Sequence, residues 1–447
     1  MTRASQSATL TGTGEALHPD LVPVLHVLHS PDRRHVGQAR TLGHGDLTLG
    51  RDGGDADWVF DDGRMSRQHA QLRASRQRLV YLLEDTGSKN GLFVNGGRTA
   101  ARALEDGDIV RIGDTLLAFE CVDPVLAEPE NHGAGADLLL GDATVMRRLR
   151  RELEVAAPSN ETLYLHGETG SGKEVAASLI HRLSGRKGAF VPVNCGAIPS
   201  QLVESTLFGH RRGAFTGATD HADGLVVAAD RGTLFLDEVA ELAPPAQASL
   251  LRVLEDGQVL PVGGTTSRRV DVRVVAASHV ELRQAVAEGR FRADLVTRIG
   301  GWVVRIPPLR QRRRDILSLC RHFLRGPMAL SADAAEALCI APWPGNVREV
   351  RTTLGRARAL AAGGEIALAH LPDELQSLVR TRVTVASTAP ESEGRPSREE
   401  LLATLQWAQG NVSKVAERHG RTRKQIYRWL EHYGVDLGQL RGGDGKD

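Results

Sequence analysis

The sequence predicts a multidomain chain: an all-β sandwich, then an α/β phosphate-loop fold with a helical lid, then an all-α helix-turn-helix. Three observations carry that prediction. Between Leu21 and Val122, apolar and polar residues alternate in short runs such as LTLGR, AQLRA, LVYLLE and DIVRIG, separated by Gly and Asp turns. That is the period-two pattern of paired strands with one buried face. From Leu138 the pattern changes to short apolar strands alternating with amphipathic helices, which implies a parallel sheet with crossover helices. Finally, Asn411 to Leu430 carries six Lys or Arg against the single acid Glu417, so positive charge gathers where it can meet phosphate.

Length and composition agree with this division. A chain of 447 residues is too long for one core, and about 100–200 residues per domain gives about three domains. The hydrophobic share of 41% and charged share of 25% are those of globular protein, while 4% aromatic residues leave the cores to Leu, Val and Ala. The net charge of +1 averages over the basic C-terminal stretch. Cys121, Cys195, Cys320 and Cys339 fit no CxxC spacing, which fits a reducing cytoplasm. No apolar run reaches the ~18 residues of a bilayer span, and the N-terminus lacks a basic region followed by an apolar one. The expected location is cytoplasmic, with no membrane partner.

The expected segments are a polar, Thr-rich tail over 1–20, the sandwich over 21–122, a Pro/Glu/Gly/Ala linker over 123–137, the α/β fold over 138–310, its helical lid over 311–380, a second linker over 381–396, a helical module over 397–440 and a tail over 441–447.

The strand TLYL runs into GETGSGKE and then the helix VAASLIHRLS, the strand, loop and helix context a phosphate loop needs. Gly167, Gly170 and Gly172 let backbone N–H groups converge on phosphate oxygens, and Lys173 reaches the β and γ phosphates. Glu168, Thr169, Ser171 and Glu174 complete the loop. Glu174 stands where a Ser or Thr would ligate Mg²⁺, so the metal must rely on other oxygens. Downstream, TLFLDE is an apolar strand ending in Asp237 and Glu238, where one carboxylate can hold Mg²⁺ and the other orient the attacking water. Between the two lies GAFTGA, Gly213, Ala214, Phe215, Thr216, Gly217 and Ala218. Small residues with one phenylalanine build no core element and predict a mobile loop presenting Phe215 and Thr216 outward.

With these motifs in order, and with VNCG, ESTLFGH, LLRVLEDG, GRFRADLVTR, IPPLRQRRRDI and WPGNVREV beside them, Leu138 to about Leu378 resembles the AAA+ domain of bacterial enhancer-binding proteins, the activators of sigma-54 RNA polymerase. The resemblance implies ATP as cofactor, with Mg²⁺ held through Asp237. It implies that Asn194 holds Glu238 and releases it with nucleotide state, and that Arg292 and Arg298 are fingers reaching a neighbouring subunit. Arg348 becomes the nucleotide-sensing residue of the lid, GAFTGA the sigma-factor contact, and a homo-oligomer, dimer to hexamer-type ring, the active form. Glu174 is what that family also carries. One departure stands out: after the sensor strand the family usually reads Thr-Asn, and this chain has Ser278, which keeps the hydroxyl expected at the nucleotide, and His279, which predicts slow or unusually pH-sensitive hydrolysis.

In the β-rich region, Gly50-Arg51, SRQHA from Ser66 and SKNGLFVNG from Ser88 together resemble a forkhead-associated (FHA) domain, a reader of phosphothreonine peptides. Arg51, Ser66, Arg67 and Lys89 then offer donors to a dianionic phosphate, and Asn90 grips the peptide backbone. His69 braces its loop. The implied partner is a phosphothreonine-containing protein or a Ser/Thr kinase, and Thr2, Thr9, Thr11 and Thr13 of the tail are candidate intramolecular ligands. At the other end, EELLATLQWAQGNVSKVAERHGRTRKQIYRWLEHYGV resembles a Fis-type helix-turn-helix, with Asn411 and Thr422 as caps. Ile426, Leu430 and Tyr433 share one face of the third helix. Thr422, Arg423, Lys424, Gln425, Tyr427 and Arg428 are the candidate contacts to enhancer DNA, while Arg421 and Trp429 depart from the pattern. The sequence therefore reads as an activator that binds enhancer DNA, oligomerises and uses ATP hydrolysis to remodel the sigma-54 polymerase, gated by phosphothreonine recognition. A regulator that binds nucleotide without hydrolysing it, and a remodeller of another protein target, are the competing readings.

Overall fold

The computed structural model describes residues 21–75, 80–127, 135–215, 218–325, 329–379, 396, 398–408, 412–419, 426, 429–430, 433 and 435. The chain divides into two compact units, with the boundary in sequence between Val379 and Arg380. In the first unit, eleven strands form the predicted sandwich: β1 Val22–His29, β2 Ala39–Thr41, β3 Leu47–Arg51, β4 Trp58–Phe60, β5 Ala70–Ser75, β6 Val80–Asp85, β7 Leu92–Val94, β8 Gly97–Thr99, β9 Ala101–Ala103, β10 Ile109–Ile112 and β11 Thr115–Val122. One sheet runs β2-β1-β11-β10-β7-β8 and the other β4-β3-β5-β6-β9. Their facing side chains, among them Leu25, Leu49, Phe60, Leu83, Val110 and Phe119, make the sandwich core.

The alternation predicts one solvated face, yet every residue of β11 is buried. The reason is tertiary. Leu28, Ile109, Leu116 and Ala118, on the outer face of the first sheet, belong to the same apolar cluster as Trp343, Leu338 and Val350 of the helical lid. Two charged residues on that covered face are matched by lid charges. Arg111 lies 2.9 Å from Glu336 Oε2 and 3.0 Å from Asp114 Oδ1, donates from Nε to Gly113 O at 2.8 Å, and also meets Asp333. Glu120 accepts from Arg314 at 2.6 Å and from the Thr144 backbone N–H at 2.6 Å, with His26 at 3.2 Å.

Burial alone raises the Glu120 pKa, but hydrogen bonding to His26, the Arg314 charge and the Thr144 N–H together bring it down to about 2. Its ordinary value is 4.5, so the folded state favours the ionised form. The resulting stability is complete above that value and lost as pH falls through the folded one. Wild-type protein is therefore expected to lose on the order of 3 kcal/mol that Glu120→Gln does not lose on acidification across that window, measured as the difference in their unfolding midpoints. Parallel acid limbs would contradict the pairing.

The α/β part continues with β12 Leu163–His166, β13 Phe190–Asn194, β14 Gly209–His210, β15 Ala222–Asp223, β16 Thr233–Asp237, β17 Gln258–Val259, β18 Arg268–Arg269, β19 Arg273–Ser278 and β20 Trp302–Arg305. Five of these make a parallel sheet in the order β13-β16-β19-β12-β20. Successive residues of a strand point to opposite faces, and both faces are covered: Leu234, Leu236, Val274 and Ala276 join one cluster, Leu165, Phe235, Val275 and Val304 another. That explains the near-continuous apolar strands. The lid helices Ile316–Leu324, Ala332–Ile340 and Asn346–Leu360 and the helix 373–379 close around Trp343.

The stretch 123–137, expected to be a linker, is tied down where it is described. Pro124–Ala127 is helical, Asp123 pairs with Arg148, and Asp137 makes a two-pronged pair with Arg182 at 2.7 and 2.8 Å. Sequence composition missed this because the anchoring partners lie on distant helices. The linker over 381–396, apart from Pro396, and the tails 1–20 and 441–447 lie outside the described residues, as do the tail threonines Thr2, Thr9, Thr11 and Thr13.

In the second unit, the helices Arg398–Trp407 and Val412–Arg418 pack with Ile426, Trp429 and Leu430 around Leu401, Leu405 and Val415. Trp429, out of pattern as a surface residue, is a core residue here, edge-on to His419 at 5.8 Å. The predicted face of Ile426, Leu430 and Tyr433 is the packed one. Asn411, Arg421, Thr422, Arg423, Lys424, Gln425, Tyr427 and Arg428 lie outside the described residues. Among the described residues, no helix is long and apolar enough to cross a membrane.

Candidate active site

The phosphate loop sits at the carboxyl end of β12, on the edge where ligands of open parallel sheets bind. Gly170 and Gly172 have φ of +75° and +112°, a backbone conformation L side chains rarely adopt, and Gly172 opens the helix Lys173–Ser184. A Cβ on Gly170 would lie 2.3 Å from Gly345 O and 3.0 Å from the Arg348 Cβ. The loop is thus pressed against the start of a lid helix, and Arg348 stands exposed beside it. Lys173 is buried; its Nζ donates to Gly167 O at 3.0 Å and lies 3.6 Å from Glu238 Oε1. The Ser171 hydroxyl is buried with no hydrogen-bond partner. A cradle of this shape with an orphaned hydroxyl and an internally parked lysine fits a nucleotide phosphate chain.

The lid holds the loop more closely than the sequence suggested. Arg310 grips Glu168 with two bonds of 2.7 and 2.6 Å, which lowers the Glu168 pKa, and Asn346 adds a bond of 3.1 Å to the same carboxylate. Asn346 also reaches Thr169 O, and Arg312 donates to Ser171 O at 2.8 Å. Glu168, named as a nucleotide contact, is therefore spent on the lid through its side chain. Arg310, Arg312 and Asn346 were missed as site residues although IPPLRQRRRDI and WPGNVREV contain them, because nothing in their spacing shows which loop they meet. Glu174, one residue into the helix, is exposed.

At the tip of β16, the Asp237 carboxyl is half-buried and accepts from the Glu238 backbone N–H at 3.0 Å. Burial pushes Asp237 above the ordinary aspartate range, opposed by the Lys173 ammonium. Glu238 has φ of +52°, uncommon for a residue with a side chain and the kind of backbone strain that gathers at functional sites. Two side chains make contacts here other than those expected. Asn194, expected to hold Glu238, instead accepts from the Ala197 N–H at 3.2 Å, capping the turn after β13. Glu238 meets His279 Nδ1 at 2.7 Å. Ser278, expected at the nucleotide, is fully buried and accepts from the Val280 N–H at 3.0 Å. Arg292 and Arg298 are exposed on the helix Ala293–Ile299 and its N-cap, paired with Asp294 at 2.7 Å and Glu255 at 3.4 Å.

The GAFTGA segment rises from the β14–β15 hairpin. Gly213 N–H bonds to Ala218 O at 2.8 Å, and the Phe215 ring is 37% exposed, 5.1 Å from His210. Ala218, expected among the contacts, is buried at the base of the loop. Thr216 and Gly217 lie outside the described residues.

At one end of the sandwich, Arg51, Arg67 and Lys89 are exposed and Ser66 is half-buried. Gly50 is required there: a Cβ would sit 1.9 Å from Arg67 O. Ser66 Oγ accepts from the Lys89 N–H at 3.1 Å, and His69 bridges the Ser66 N–H and Gly91 O at 3.0 Å each, the bracing role expected of it. The Asn90 side chain donates to Arg64 O, tying two loops together. Among the described residues, no cluster of His, Cys, Asp or Glu could hold a metal ion on its own.

Comparison with known proteins matches residues 139–305 to the sigma-54 interaction domain, 310–388 to the AAA+ ATPase lid domain and 47–113 to the FHA domain. The transcriptional regulatory protein GlrR of Escherichia coli is 35% identical over 339 residues, covering 73% of this chain and 76% of that protein. The response regulator protein PilR of Pseudomonas aeruginosa is 40% identical over 326 residues, covering 70% and 73%. Among solved structures, NtrX from Brucella abortus in complex with ADP superposes with a TM-score of 0.51 at 33% identity, over 66% of this chain and 70% of that one. With its phosphate loop, its acidic strand end and its lid, the chain belongs to the family of sigma-54-dependent transcriptional regulators, as a member with an FHA domain ahead of an AAA+ ATPase core.

Proposed function

We propose that this protein opens promoters bound by sigma-54 RNA polymerase by coupling ATP hydrolysis in a homo-oligomeric ring to movement of its GAFTGA loop, under control of a phosphothreonine ligand of the FHA domain. The convergence of Lys173, Asp237 and Glu238 under a glycine cradle is the observation that carries this reading. Gly167 to Glu174 would bind the phosphates through backbone N–H groups, with Lys173 moving from Gly167 O to the phosphate chain. Asp237 would hold Mg²⁺, whose charge offsets that developing on the transferred phosphate. Glu238 would orient the attacking water and take up its proton. Arg348 would report nucleotide through the lid.

The exposure of Arg292 and Arg298 supports their reaching a neighbouring subunit, where an arginine in trans contributes about 10³–10⁵ in rate in NTPases of this kind. Phe215 and Thr216 would meet the sigma factor, with Gly213, Ala214 and Gly217 beside them in the motif. Arg51, Ser66, Arg67 and Lys89 would surround the phosphate of a phosphothreonine protein, since cationic and hydroxyl donors suit a dianion, with Asn90 setting the loop beneath. The basic third helix of the C-terminal module would enter the major groove of enhancer DNA.

ATP hydrolysis by the full chain across a concentration series tests the proposal. Specific activity is expected to rise steeply with protein concentration and to vanish in both Lys173→Ala and Arg292→Ala. A phosphothreonine peptide is expected to change that concentration dependence in wild type and not in Arg51→Ala. Turnover independent of concentration and retained in Arg292→Ala would refute fingers in trans.

A further inference from the structure

We propose that His279, not Asn194, is the positioning residue that holds Glu238. The topology allows either. Strand β16 lies between β13 and β19, so a side chain at its tip can be held from both sides. Asn194 ends β13, opposite Asp237 in register, and His279 follows Ser278 at the end of β19. The side chains decide between them. Asn194 Oδ1 caps the turn at Ala197, whereas His279 Nδ1 meets Glu238 Oε2 at 2.7 Å.

A carboxylate only accepts hydrogen bonds, so the Nδ1 atom carries the proton. The other Glu238 oxygen, Oε1, faces Lys173 at 3.6 Å. When Lys173 turns to a phosphate chain, His279 is the partner that remains. A glutamate already fixed by a left-handed backbone, φ +52°, then keeps one carboxylate oxygen aimed by the imidazole and frees the other for water. An asparagine at position 279 would present its amide nitrogen two bonds from Cβ, as far along the side chain as histidine Nδ1, so the donor is replaceable. A phenylalanine keeps the ring and loses the donor.

This inference rests on the reading of Glu238 as the residue that orients water. Its test compares full-length Asn194→Ala, His279→Ala, His279→Phe and His279→Asn. His279→Ala and His279→Phe are expected to lower kcat by about ten- to a hundredfold, the scale of a displaced reacting group, with KM for ATP unchanged. His279→Asn is expected to restore most of kcat, and Asn194→Ala to lower it less than His279→Ala does. Loss in Asn194→Ala as large as in His279→Ala, or an effect confined to KM, would overturn the proposal.

Nitrogen-15 NMR of histidine-labelled protein reads the bond without turnover. The His279 signal, assigned by its loss in His279→Asn, is expected to show a protonated Nδ1, to shift in Glu238→Ala and to stay put in Asn194→Ala. A His279 protonated at Nε2 alone would sink the proposal even in an active enzyme. The expected NMR pattern in a protein without turnover would uphold the clamp and refute only the hydrolytic reading.

Discussion

Glu238→Gln is expected to lower ATP turnover by about 10²–10⁴, the usual contribution of a positioned acid or base, while ATP binding measured by calorimetry stays near wild type. Glutamine keeps the shape of the side chain and an oxygen to accept from His279 Nδ1, so the site is preserved. It cannot take a proton from water. Binding is retained because the phosphate cradle is built from loop backbone and Lys173, and Glu238 Oε1 stands 3.6 Å from Lys173 only as a neighbour. Removing that charge frees the lysine for the phosphates. Turnover close to wild type would show that another group orients the water, and a parallel loss of ATP binding would assign Glu238 to the nucleotide instead.

Arg111→Ala is expected to destabilise the first unit by about 3–5 kcal/mol, the cost of breaking a buried ion pair by removing one member. Arg111 is 5% exposed and Glu336 1%, and they meet at 2.9 Å. Without the guanidinium, the buried Glu336 carboxylate loses its partner at 2.9 Å, or the sandwich separates from the lid. Replacing both residues by apolar side chains of similar volume, Arg111→Met with Glu336→Leu, is expected to recover most of the loss, since such replacements of buried pairs are often neutral. Urea unfolding of the single and double variants gives the coupling directly. A loss below about 1 kcal/mol for Arg111→Ala, the range of an exposed pair, would mean that the sandwich does not rest on the lid in solution.

The same contact shows how far one sequence can be read. The period-two alternation located the sandwich strands because each strand buries one face against the opposing sheet, a constraint written locally. It predicted solvent on the other face of β10 and β11, where Leu116, Ala118, Arg111 and Glu120 instead meet the lid. Their partners lie some two hundred residues away in sequence: the Arg111 to Glu336 separation is 225 and the Glu120 to Arg314 separation 194. No local pattern encodes such a pairing. Trp429 is the opposite case, anomalous as a surface residue and ordinary once its burial against Leu401 and Val415 is seen.

At the active site, the sequence by itself determined which residues are present: the glycines whose left-handed backbone the phosphate loop needs, Lys173 at the helix start, and the two acids at the end of an apolar strand. Those follow from backbone sterics and strand burial, which act over a few residues. Only the tertiary structure decided which groups touch. Strand order set β16 between β13 and β19 and gave Glu238 two possible holders, and the turn after β13 took up the Asn194 carbonyl and left the glutamate to His279. Arg310, Arg312 and Asn346 reached the phosphate loop because the lid folds back over it. Hydrogen bonds are short and directional, so they are assigned by the packing of whole elements and not by the order of residues along the chain.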